Sequence, residues 1–140
     1  MVLSKGAAVA SLGVALFPCE CDGHAELVPY VHWVSAAVMF STLAYFCHGF
    51  YMRARAKGHA QAQWRALIYA ACGIAILLAI LTLALSKLPG LGAGSPRLTF
   101  FAEATGLVAF GVSWLTASRV LPVLTRGDER FSPLREVNPP

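Results

Sequence analysis

Charge is what this sequence has least of. Asp, Glu, Lys and Arg supply 13% of its 140 residues, against about 25% in an average soluble domain. An intrinsically disordered tail is excluded, because such a chain stays open through high charge and low hydropathy. Cysteine is scarce as well. Four in the whole chain are too dilute for a small secreted disulfide scaffold. The sequence also lacks a Gly-rich phosphate loop, a His-Glu-x-x-His pair and a Gly-x-Ser-x-Gly elbow, so no familiar catalytic signature is present. Strict alternation of polar and apolar residues is missing too, which argues against membrane strands.

What the chain has in quantity is apolar side chain, at 57% of residues. Low charge and high hydropathy together describe a chain whose solvent is mostly lipid. Four apolar runs stand out: Gly6 to Phe17, Pro29 to Met52, Ala66 to Leu88 and Leu98 to Ala117. A hydrocarbon core of about 30 Å needs about 20 helical residues at about 1.5 Å each. The last three runs meet that length. The first is short and reads as a short or tilted span completed by Val2, Leu3 and Ser4. A cleaved signal peptide is disfavoured: Phe17-Pro18 blocks a clean cleavage site, and Pro18 precedes Cys19 where lipoprotein processing wants a small residue. The expectation is therefore an all-α integral membrane four-helix bundle over residues 1–120, with helices near 3–17, 29–52, 66–88 and 98–117. A polar cytoplasmic tail would occupy residues 121–140.

Basic residues set the orientation. The segment Arg53 to Arg65 holds Arg53, Arg55, Lys57 and Arg65 and no acid, whereas Pro18 to Val28 holds Glu20, Asp22 and Glu26 and no base. Under the positive-inside rule the first segment is cytoplasmic and the second faces out. Four crossings then put both termini inside and leave only Lys87 and Arg97 outside. Tyr30 and Trp33 mark the outer interface; Tyr51, Trp64, Tyr69 and Trp114 mark the inner one. The net charge of +4 is a topology signal rather than a nucleic-acid footprint. The same basic segment is placed to touch anionic lipid headgroups.

Helices in lipid associate through small residues that let backbones approach. The fourth run carries Ala102, Gly106, Ala109, Ser113 and Ala117 on one face. The third carries Ala71, Ala75, Ala79, Thr82 and Ser86, and the second Ala37, Ser41, Ala44 and His48. Three such seams predict a tight bundle and surfaces suited to further membrane helices or a second copy.

Polar residues inside spans point to chemistry. Glu103 is the only acid in a span, and a carboxylate at mid-helix depth costs roughly 2.5–3.5 kcal/mol on insertion scales, so it faces protein and takes a partner. It lies about 7–8 Å below the outer end of its helix. His32 lies one turn into the second helix from the same side, so a His32–Glu103 pair is geometrically open. Such a pair serves either as a proton relay or lipid-headgroup site, or as an interhelical hydrogen bond that sets register. Bis-His haem ligation within the chain is excluded: His32 and His48 share one helix and the third and fourth helices have no His. Cys19, Cys21 and His24 are weak metal candidates, because Cys-x-Cys with one nearby His is not a strong zinc spacing. Cys47 and Cys72 read as small packing residues near the cytoplasmic side. No cofactor is expected.

The order of Leu16-Phe17-Pro18, His32-Trp33-Val34-Ser35-Ala36-Ala37, Tyr69-Ala70-Ala71-Cys72-Gly73 and Glu103 before Ala109-Phe110-Gly111-Val112-Ser113-Trp114 resembles a bacterial multi-pass membrane family, the 998-like group of domains of unknown function. The likeness runs from Gly6 to about Ser118. It implies an inner-membrane location, the last four helices of a longer set, and no established activity. The expected function is a non-enzymatic accessory or scaffold subunit. The alternative is a lipid-handling or proton-coupled protein centred on His32 and Glu103.

Overall fold

The computed structural model describes residues 2–17, 27–86 and 96–127. These residues are all-helical, with α1 Val2–Leu16, α2 Leu27–Arg55, α3 Ala60–Ser86 and α4 Pro96–Ala117. Tyr30–Arg55, Ala60–Ser86 and Arg97–Ala117 are each long and apolar enough to cross a membrane. On length and composition this is a multi-pass membrane protein. At 15 residues α1 is shorter, about 22 Å at 1.5 Å per residue.

Two helix ends run well past the apolar runs that predicted them. α2 continues through Arg53 to Arg55, and Arg53 Nε donates to the Gly49 carbonyl at 3.1 Å. Cations suit the last turn, where unpaired carbonyls carry partial negative charge. α3 begins at Ala60, six residues before the apolar run, and His59 Nδ1 accepts the Ala62 backbone N–H at 3.2 Å to cap it. The expected loop from Arg53 to Arg65 therefore shrinks to residues 56–59, turned by Gly58 at φ 71°. Arg53, Arg55 and Arg65 sit on helices.

α2 is the central element, packed against α1 on one side and α3 on another, while α3 also packs on α4. Among the helices α1 touches α2 alone. The main core joins Ala10 of α1 to Ala36, Met39, Phe40, Leu43 and Cys47 of α2 and to Cys72 and Ile76 of α3, with Ala109 and Phe110 of α4 against it. A second cluster of Ala54, Ala66 and Tyr69 lies toward the 56–59 turn. A third, of Ala79, Leu83 and Ala102 beside Trp33, lies at the opposite end.

The three small-residue seams fare differently. On α4, Ala102, Gly106 and Ser113 are buried and Ala109 and Ala117 half-buried. A Cβ built on Gly106 would lie 2.5 Å from Phe40 Cε1, so the bare backbone is the seat of that ring. On α3, Ala79 is buried and Ala75 half-buried, but Ala71 and Thr82 are exposed. On α2, Ala44 is half-buried, while Ala37, Ser41 and His48 are exposed. The physical reason is asymmetry. A seam of small residues on one helix is filled by large residues from its neighbour, here Phe40, Met39 and Leu43, so the packed face of α2 is its bulky one. Thr42, Thr82 and Thr105 return their hydroxyls to the carbonyl four residues back. That satisfies each hydroxyl donor within its own helix.

Candidate functional site

One polar constellation lies within the apolar helices. His32 is 4% exposed, on the second turn of α2. Its Nε2 lies 3.2 Å from Glu103 Oε1 of α4. Its Nδ1 lies 2.7 Å from the Phe17 carbonyl and 3.2 Å from the Val14 carbonyl, at the end of α1. One imidazole thus ties α1, α2 and α4 together. The Trp33 ring meets it edge-on, with centroids 6.0 Å apart.

The tautomer follows from the partners. Carbonyl oxygens only accept, so Nδ1 carries the hydrogen. The contact at Nε2 then needs one further proton. Either the imidazole is doubly protonated against a carboxylate, or a neutral carboxylic acid donates to the bare Nε2. Both arrangements are neutral overall, which suits a buried pair in lipid. Glu103 is the less enclosed partner, its side chain 22% exposed against 6% for His32.

Other residues singled out in the sequence fall elsewhere. Cys19, Cys21 and His24 lie outside the described residues. Among the described residues no group of three His, Cys, Asp or Glu is placed to hold a metal. Cys47 and Cys72 are both buried free thiols, and Cys47 Sγ donates to Ser113 Oγ at 3.2 Å. Arg53 and Arg55 lie over the rings of Phe50 and Tyr51, at 5.3 Å and 5.8 Å to the centroids. Arg65 is buried. Sequence reasoning missed the α1 carbonyls at His32, because backbone acceptors leave no mark in a sequence. It also missed that Arg65 turns inward.

Comparison with protein-family models, with curated proteins and with solved structures finds no match.

Proposed function

We propose that this chain is a non-enzymatic accessory or scaffold subunit of the bacterial cytoplasmic membrane, a four-helix bundle with both termini inside that packs against further membrane helices. The observation that carries this reading is α1. It is an apolar helix of 15 residues whose one buried residue is Ala10, and it contacts no helix but α2. Val2, Leu3, Val9, Leu12 and Leu16 are exposed. A helix shorter than the hydrocarbon thickness is poorly matched to lipid on its free side, and association relieves mismatch. The sequence resemblance to a 998-like inner-membrane family agrees with the location. Gentle detergent extraction followed by native mass spectrometry tests the reading. A chain recovered in a larger assembly, with itself or with other membrane proteins, is the expected result. A monomer in every mild detergent overturns it.

A second reading, a proton-coupled or lipid-handling protein, is favoured by the single exchangeable proton between His32 Nε2 and Glu103 Oε1. Here Glu103→Gln separates the two. It keeps a hydrogen-bonding group but cannot exchange a proton, so the scaffold tolerates it and a proton-coupled protein does not.

A further inference from the structure

The carbonyls in the last turn of a helix have no donor within that helix. At the end of α1 the Phe17 N–H still donates to the Gly13 carbonyl, at 3.2 Å. The next donor in line, for the Val14 carbonyl, would be residue 18, but Pro18 has no N–H. His32 Nδ1–H donates there instead, to the Phe17 carbonyl at 2.7 Å with the Val14 carbonyl at 3.2 Å. A side chain of α2 thus caps α1. Among the helices α1 touches only α2, with Ala10 its one buried residue and Gly13 against Ser35.

This cap depends on a proton count. When imidazole and carboxyl share two protons, one lies on Nδ1 toward α1 and the other between Nε2 and Glu103, and both contacts are hydrogen bonds. When the pair gives one proton to water, a single N–H is left for two acceptors. A carboxylate is the stronger acceptor, so the hydrogen goes to Nε2. The bare Nδ1 then faces the carbonyl oxygens, lone pair against lone pair. In this state one ring cannot serve both α1 and α4, and the contact to α1 is the one lost. Around the ring, α4 adds Arg97 and α2 adds Tyr30, both exposed. α1 carries only Lys5, nine positions before Val14, and α3 only Arg65, Tyr69 and Cys72, all in its first half. Residues 18–26, outside the described ones, hold Glu20, Asp22, His24 and Glu26.

We propose that His32 and Glu103 form a pH-operated latch on α1. With both protons the pair caps α1 and holds it; on losing one it keeps α4 and releases the end of α1. The hold on α1 is therefore present at low pH and lost as pH rises. The latch deepens the proton-coupled reading and rests on it, since it requires a pair that exchanges a proton with water.

Hydrogen exchange of the full chain in an uncharged detergent tests it. The readout is the ratio of α1 to α3 amide exchange within one sample, in which the pH dependence of the exchange chemistry cancels. From about pH 5 to about pH 9, a range that spans ordinary imidazole titration, the wild-type ratio is expected to rise about tenfold, the loss of one hydrogen bond that leaves its acceptors unpaired. Glu103→Gln should keep the ratio flat and low, because its amide donates to the bare Nε2 and the single ring hydrogen stays with α1. Glu103→Leu, which removes the competing acceptor, should be flat as well. A wild-type ratio that does not rise overturns the proposal with no variant needed. So does a rise that persists in both Glu103 variants, which would place the titrating group in residues 18–26. The parent reading fails separately, by a Glu103→Gln chain that fully restores a knockout phenotype.

Discussion

His32 works because each ring nitrogen has a different kind of partner, backbone carbonyl at one and carboxyl at the other. Glu103→Leu leaves Nε2 facing hydrocarbon and should lower stability by about 1–2 kcal/mol, read as a fall in the detergent unfolding midpoint. Glu103→Gln keeps a hydrogen bond and should lose less than about 1 kcal/mol. If Leu and Gln behave alike, the contact contributes nothing to folding. Matching depths on two spans made this pair visible in the sequence, since a carboxylate and an imidazole at one level in lipid have few alternatives. Its third member was not visible, because the carbonyls of Val14 and Phe17 belong to the backbone and any residues there would present them.

Helices pair here by shape more than by composition. Gly106→Ala already places a methyl against Phe40, which is 3% exposed and has nowhere to go. It should cost about 1–3 kcal/mol, while Val108→Leu, at a site 67% exposed, should be silent. Pairing Gly106→Ala with Phe40→Leu should recover part of the loss, and a double-mutant cycle measures how much. On α1, a Cβ at Gly13 would collide with the side chain of Ser35. Gly13→Val should therefore loosen α1 from α2 and lower amide protection in α1, leaving that of α3 and α4 unchanged. The small seam of α4 could be read from its spacing. The working face of α2 could not, because Met39, Phe40 and Leu43 are as lipid-compatible as any other apolar residue, and nothing in their identity says which side meets protein.

For the molecule as a whole, the asymmetry of basic residues predicts a direction across the membrane. In a chain lacking Cys19, Cys21, Cys47 and Cys72, a single cysteine at Ala56 should escape a membrane-impermeant maleimide added outside, and one at Gly92 should react. The reverse pattern would invert the orientation. Long spans were legible because about 20 consecutive apolar residues have one stable setting. Helix ends were not, because hydropathy senses only hydrocarbon, whereas Arg53 to Arg55 and Ala60 to Arg65 are helical without being apolar.

The separation between His32 and Glu103, 71 positions, also sets a schedule. At about 5–20 residues per second of synthesis, the carboxyl partner emerges roughly 4–14 s after the imidazole. Throughout that interval α2 exists with half of a buried contact missing. The exposed carbonyl end of α1, already made, offers the imidazole a provisional partner. α1 and α2 are thereby suited to pack together first, and α4 arrives later to a histidine whose orientation has been decided before its carboxyl exists.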